Sequence, residues 1–372
     1  MPLIGKFFIH RFYRVVMKIL LIDEYSKTGG RLVQSKLLLR YFNENYGETY
    51  LAVDRKHTYI KYRNIIVTPW YDKPDMTRVL QYYYITKTKR FLRNYIHNQF
   101  DLIFNNHPYR FLYKGDINAL HGFIFLDSII DEYGNITNKV LSNLIRRSRM
   151  YQLYDHANFY VNSNYTMKIS NKLFPLLNIH PKIMKVIYHP VNQNKAADQS
   201  MKNKKLVITI GRIAPDKNFE VLFKIAAILK DYRFIIAGAL NEGNEAYYKS
   251  LMKNKPDNVE IKVNITEDDK DKLLKKAAIY IHLTRKEHYG LSVVEAMSYG
   301  LVPVVPESGG PWEDLIEHGK YGYGFNSVDE AVEKIKNIDY AIVKYIHDSM
   351  DRFSFERFYD NMHNFIDEVR SQ

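Results

Sequence analysis

Cysteine is absent from the 372 residues. That excludes disulfides, cysteine-ligated zinc, iron–sulfur clusters and a thiol nucleophile, and it makes a reducing interior the simpler home for the chain. Acidic residues are in deficit, with Asp+Glu 41 against Lys+Arg 54 and a formal net charge of +13. No run of about 18 consecutive apolar residues occurs, so no segment reads as a membrane-spanning helix. There is no Walker-type phosphate loop, and Gly322-Tyr323-Gly324 lacks the third glycine of a dinucleotide fingerprint.

What is present is ordinary for a globular chain. Apolar residues make up 46% and charged residues 26%, which rules out a disordered or fibrous protein. At roughly 150 residues per domain the length predicts two or three domains. The basic balance suits nucleic acid, an anionic membrane surface or a phosphorylated substrate. Compositional drift accounts for it equally well, since Lys, Tyr, Ile and Asn are abundant throughout.

The opening MPLIGKFFIHRFYRVV mixes basic and apolar residues. It reads either as an interfacial helix presenting Phe7, Phe8, Phe12 and Val15 to lipid, or as an extension of a fold that begins near Met17. From Lys18 onward, short apolar runs alternate with helical patterns. KILLID, ETYLAV, NIIVT, FDLIFNN and FYVNS read as strands, and LVQSKLLLRYF as a helix. Two basic helices are predicted, one from Thr77 to His97 and one preceding Ala157. The polar stretch Asn192 to Lys205 reads as a linker. After it the pattern restarts with strands KLVITIG, YRFIIAG, VEIKVN, IYIHLT and LVPVVP, with helices between them. The chain therefore reads as α/β, in two successive halves with parallel sheets.

Open parallel sheets bind ligands beyond the carboxyl ends of their strands. Three post-strand loops of the second half carry chemistry. In GRIAPDKN, Arg212 and Lys217 lie five apart, and such a pair can hold a phosphate from two sides. In EHYGLSVVEAMSYG, Gly290 permits a tight turn into a helix starting near Ser292, whose free N–H groups favour an anion. Glu287 and Glu295 frame that turn at a spacing of eight and suit neutral sugar hydroxyls and a ribose diol. Ser292 and Glu295 equally fit a capping box. In PESGGPWED, Gly309 and Gly310 either bring backbone N–H groups to a phosphate or sugar, or form an ordinary turn before a helix near Trp312. The triplet Asp269-Lys270-Asp271 reads as part of a solvated, charged helix rather than a metal site.

Taken in order, GRIAPDKN, EHYGLSVVEAMSYG and SGGP resemble the nucleotide-sugar half of the retaining glycosyltransferases of family 4, of the GT-B fold. EHYG followed by SGGP resembles the mannosyltransferases that elongate lipid-linked oligosaccharides. The resemblance implies two Rossmann-like domains facing across a cleft, residues 1–192 for the acceptor and 193–352 for the nucleotide sugar. A terminal helix, 353–372, would cross back to the first domain. It puts Arg212 and Lys217 on the donor diphosphate, Glu287 on the transferred sugar and Glu295 on the ribose. Backbone groups of Gly290, Leu291 and Ser292 complete the pocket, and Asn264 and Ile265 lie near the base. Gly29 and Gly30 match the glycine pair after the first strand, and His121 matches the histidine bordering the reacting sugar. His107, in NNHPY, also ends a strand and competes with His121. Tyr71 to His97 matches no part of the family pattern.

The resemblance further implies a GDP-mannose or UDP-sugar donor, no required metal or other cofactor, and a lipid-linked or other glycan acceptor. A cytoplasmic chain, peripheral on an anionic membrane face through its basic helices, follows from that acceptor. Two other readings stay open: a nucleic-acid-glycosylating enzyme of the same fold, and a nucleotide-sugar-binding protein without turnover. Nothing in the sequence speaks to oligomeric state.

Overall fold

Continuous apolar runs of four to eight residues set the strands, because a strand covered by helices on both faces has no solvent side to make polar. A computed structural model of the chain describes residues 16–23, 29–54, 62–69, 78–96, 99–108, 113–122, 130–139, 143, 151–193 and 199–372. The expectations for the N-terminal segment up to Val15 and for the basic stretch Ile145–Arg149 lie outside those residues.

In the first half the strands are β1 (Met17–Ile22), β2 (Gly47–Val53), β3 (Ile65–Val67), β4 (Leu102–Asn105), β5 (Ile117–Leu120), β6 (Asn158–Val161) and β7 (Ile183–Val186). The helices are α1 (Gly29–Asn45), α2 (Arg78–Ile96) and α3 (Asn164–Leu173). In the second half the strands are β8 (Asn203–Ile210), β9 (Arg233–Gly238), β10 (Val259–Val263), β11 (Ala277–Ile281), β12 (Val302–Pro306) and β13 (Tyr323–Phe325). The helices α4 (Phe219–Ile228), α5 (Glu245–Asn254), α6 (Glu267–Lys276), α7 (Leu291–Ser298), α8 (Val328–Lys336), α9 (Ile342–Ser349) and α10 (Phe355–Arg370) go with them.

The strands form two parallel sheets, in the orders β3-β2-β1-β4-β5-β6-β7 and β10-β9-β8-β11-β12-β13. The α/β expectation holds. By compactness the chain divides near Asn118: one unit contains β1–β4 with α1 and α2, and the other takes in Gly29–Gly30 and everything from Ala119 on.

Alternate strand residues feed opposite faces of the second sheet. Val207, Phe234, Ile236 and Ile279 pack with Leu222 and Phe223 of α4 and Ala331 of α8. Ile208, Ile235 and Tyr280 pack with Val293 and Val294 of α7 and Val343 and Ile346 of α9. In the first unit, Leu20, Ile22 and Ala52 pack against Leu92 and Ile96 of α2. Burying a side chain of that size contributes about 1.5–3 kcal/mol. Among the described residues no helix is long and apolar enough to cross a membrane.

The predicted linker runs into the second sheet. β8 begins at Asn203, and Lys202 is buried, its Nζ donating to the carbonyls of Leu274 and Ala277 at 2.9 and 2.8 Å. Those are carbonyls at the end of α6, which would otherwise lack partners. The closing helix α10 is capped by Ser354, and its Glu368 pairs with Lys185 of β7 at 2.9 Å.

The order of each sheet reverses direction at one point. In the second sheet that point lies between β8 and β11, which pair side by side through Val207–Ile279 and Ile208–Tyr280. The loops leaving these two strands diverge to opposite faces, and the space between them is where open α/β sheets take ligands.

Candidate functional site

The two loops at that point carry Lys217 and Glu287. After β8 the chain is pinned by the buried Ile213, whose N–H donates to the Ala239 carbonyl at 2.8 Å. Pro215 then opens a single helical turn, Pro215–Lys217, which Asn218 closes at φ 53°. Lys217 ends that turn and donates its Nζ to Glu287 Oε2 at 3.0 Å. The two side chains are 21% and 26% exposed, so both remain reachable from solvent.

Burial alone would push the Glu287 carboxyl up. The Lys217 ammonium and the nearby His282 outweigh it and bring the pKa down to about 2. Glu287 is thus an anion at neutral pH, able to accept hydrogen bonds and not to donate a proton. Behind it, burial drives the His282 imidazole down to about 4, with Glu287 opposing and Lys217 reinforcing the shift.

Gly290 ends the second loop and caps α7. Its φ of 94° is costly for any residue with a Cβ, and a Cβ there would lie 2.9 Å from Pro311 Cγ. The helix starts at Leu291, so Ser292 is already inside it, and the capping box does not form. Ser292 Oγ lies 2.7 Å from the Tyr280 hydroxyl, which is also 3.1 Å from the Ile210 carbonyl. Glu295 turns away from Ser292 to Lys270 of α6, at 2.8 Å. Lys270 lies in the stretch that reads as a solvated charged helix. Burial lowers its pKa and Glu295 and Glu267 raise it, with a net upward result.

Gly309 and Gly310 lie flush on the Glu287 loop. A Cβ at Gly310 would fall 2.2 Å from the His288 carbonyl oxygen, and one at Gly309 would fall 2.7 Å from that of Glu287. The Gly310 N–H donates to the Glu287 carbonyl at 2.8 Å. That donor therefore shapes the loop, where the sequence reading aims it at a ligand. Trp312 lies in a short π-type turn, Pro311–Leu315.

The other expected residues are spread around this core. Arg212 is exposed and paired with Asp216 at 3.1 Å, not with the Glu287 loop. Asn264, after β10, has φ 53°, and its Oδ1 accepts from Leu240 N at 3.0 Å. Ile265 beside it packs on the core partly buried. Gly29 and Gly30 open α1, and a Cβ on Gly30 would lie 2.9 Å from Leu291 Cδ1. His121 follows β5 and faces the rings of Tyr160 and His189, both at 5.6 Å. The neighbouring Gly122 abuts His288. His107 is held by Asp23, 3.2 Å from its Nε2.

Asn162 to Thr166 matches a landmark of the family pattern, but sequence reasoning gave no role to Ser163, Thr166 or Asp314 in holding this region. Ser163 donates to the His288 carbonyl at 2.6 Å, and Thr166 Oγ1 lies 3.1 Å from His288 Nδ1. Asp314 is 1% exposed and accepts from Asn164 N, Tyr165 N and the Tyr188 hydroxyl at 2.7, 3.1 and 2.9 Å. It closes the N-terminus of α3, where backbone donors lack partners. Burial raises its pKa against those bonds.

Comparison with known proteins bears on the family and the fold. Residues 191–339 match the family Glycosyl transferases group 1. A GDP-Man:Man(3)GlcNAc(2)-PP-Dol alpha-1,2-mannosyltransferase of Dictyostelium discoideum is 27% identical over 50% of this chain and 43% of its own length. A glycogen synthase of Petrotoga mobilis is 24% identical over 63% of this chain and 50% of its own length. The matches thus span half or less of these relatives. Among solved structures, Anabaena Alr3699/HepE in complex with UDP-glucose superposes with a TM-score of 0.68 at 17% identity, over 96% of this chain and 100% of that one. WaaG, a glycosyltransferase involved in lipopolysaccharide biosynthesis, gives 0.66 at 12% identity, over 95% and 99%. At such identities the likeness is one of fold, and that fold is GT-B.

Proposed function

We propose that this chain, whose residues 191–339 match the glycosyl transferases of group 1, moves a sugar from a nucleoside diphosphate to a glycan acceptor. The observation that carries this reading is the Lys217–Glu287 pair at the point where the second sheet reverses its order. A cation and an anion held there, each part-exposed, match the two ends of a nucleotide sugar. One is a diphosphate that needs positive charge, the other a ring of hydroxyls that needs acceptors.

The bond between the anomeric carbon and the diphosphate oxygen breaks as a bond to the acceptor oxygen forms. The acceptor's proton passes to the departing phosphate, and the configuration is retained. Negative charge builds on the leaving group, where Lys217, Arg212 swung from Asp216, and the first N–H groups of α7 stabilise it. Glu287, ionised at neutral pH, accepts from the sugar hydroxyls. Glu295, oriented by Lys270, accepts from the ribose. Asn264 and Ile265 border the base, and His121 borders the reacting sugar.

The finer reading takes GDP-mannose or a UDP-sugar as donor and a lipid-linked glycan as acceptor. The Dictyostelium relative's name supports the first donor and this acceptor, and the HepE complex supports the second donor. α2 supports a membrane-borne acceptor: Lys87, Lys89, Arg90 and Arg93 are exposed on a helix without a single Asp or Glu. Each such residue near an anionic bilayer contributes about 1 kcal/mol. The chain would then work at the cytoplasmic face.

A panel of nucleotide sugars tested by thermal shift checks the donor. A true donor at about one hundred times its Kd stabilises by about 2.7 kcal/mol. No shift with any GDP- or UDP-sugar would count against the reading. Co-sedimentation with anionic liposomes at low salt checks the membrane part, and a steep salt-dependent affinity for DNA or RNA instead would favour a nucleic-acid acceptor.

A further inference from the structure

His282 follows β11 directly, with its backbone fixed by an N–H bond to the Val304 carbonyl at 2.9 Å. It is 5% exposed, and among the described residues its Nε2 has no hydrogen-bond partner. A buried ring nitrogen left in this state carries a desolvation cost and calls for a reason. The nearby acceptor is Glu287 Oε2 at 3.9 Å, out of bonding range. That same oxygen takes the Lys217 ammonium at 3.0 Å. It therefore lies between two donors, bound to one and about 1 Å short of the other.

We propose that His282 is a positioning residue, which takes hold of Glu287 when a nucleoside diphosphate draws Lys217 away. The inference rests on the function proposed above. A diphosphate carries more negative charge than a carboxylate and competes for the same ammonium. Once Lys217 turns to it, Glu287 would remain a half-buried anion without its cation. An N–H on His282 Nε2 fills that need and keeps the carboxylate aimed at the sugar. His282 touches no substrate; it acts through Glu287. The buried ring is neutral, so the step requires its single proton to be on Nε2.

The test follows the histidine side-chain nitrogens of the full chain by NMR, with His282→Gln supplying the assignment. Lys217→Met removes the competing cation without any ligand, and it should move the His282 Nε2 signal to that of a hydrogen-bonded N–H. UDP or GDP added to the wild type should move it the same way. An unmoved signal in Lys217→Met overturns the proposal. A signal that moves in Lys217→Met but not with either nucleotide upholds the His282–Glu287 contact and overturns the nucleotide reading instead. In transfer assays, His282→Leu should lower kcat about ten- to a hundredfold with the UDP or GDP Kd unchanged. His282→Gln, which keeps an amide nitrogen near the same position, should recover most of the loss. A residue that only fills space would give the reverse order, and a wild-type kcat in His282→Leu contradicts the proposal outright.

Discussion

Lys217 and Glu287, 70 residues apart in sequence, close an ion pair of 3.0 Å between the loops of two adjacent strands. Each residue belongs to a different motif, and each motif on its own has an ordinary structural explanation. Joined, they form a charged pair at the one place in the second sheet where ligands are expected.

The first expectation concerns the cation. Lys217→Ala should fold and lose at least about 10²-fold in turnover, the usual effect of removing one preorganised donor to a developing anion. Steady-state kinetics with circular dichroism as a folding control checks it. A folded variant with near-normal turnover would remove Lys217 from the chemistry.

Arg212 tests whether an exposed residue can still be essential. It is 45% exposed and pairs with Asp216 on the same loop, so Arg212→Ala should leave the melting temperature almost unchanged. Turnover should nevertheless fall about 10²-fold. Equal, small effects on both would assign Arg212 to the surface.

Lys270 offers a separation of binding from chemistry. Lys270→Met frees Glu295 from its 2.8 Å partner. The Kd for UDP or GDP should rise about tenfold, as expected for losing the alignment of one charged hydrogen bond, with kcat at saturation much less affected. Calorimetry on both nucleotides decides, and an unchanged Kd would leave Glu295 without a role in binding.

Acid should unfold the chain through its buried histidines. His189 and His282 are held by burial at about 3 and about 4, below the ordinary 6.5. Between those values the unfolded chain binds more protons, so stability is complete above about pH 6.5 and falls as the pH drops toward 4. Each residue contributes a slope of up to about 1.4 kcal/mol per pH unit. Denaturant titrations across this range should show the slope, and His282→Leu should make it shallower. A flat profile would mean that these rings are not buried in solution.

Asp314 should matter for stability. Asp314→Ala leaves two backbone N–H groups and the Tyr188 hydroxyl without their acceptor in a buried setting, and should cost about 3 kcal/mol. A loss below about 1 kcal/mol in urea melts would show that water replaces the carboxylate.

Much of this was legible in the sequence, and the reasons are physical. Leu206–Ile208 of β8, Phe234–Ala237 of β9 and all of β11 and β12 are buried on both faces and therefore read as apolar runs. β5 and β7 did not read as strands on their own. Asn118 is buried within β5, bonded to Gly115, and Lys185 interrupts β7 with a charge that pairs with Glu368. β13 has three residues, too few for any period. Among the site residues, Lys217 and Glu287 were visible because post-strand loops have known chemistry. Their pairing was not visible, since no local rule joins residues 70 apart. The roles of Lys270 and Asp314 come from contacts across folded elements, as in the Asp314–Asn164 bond between residues 150 apart. The capping box failed for a local reason: Gly290 at φ 94° is the N-cap, so the helix starts at Leu291, two residues before a Ser292 cap would start it.

The most direct measurement is calorimetric binding of UDP and GDP to the wild type and to Lys217→Ala, with uridine and guanosine as controls. The wild type should bind at least one of the diphosphates, Lys217→Ala should bind it about tenfold or more weakly, and the nucleosides should not distinguish the two proteins. Equal diphosphate affinity in both proteins would contradict a diphosphate seat at Lys217.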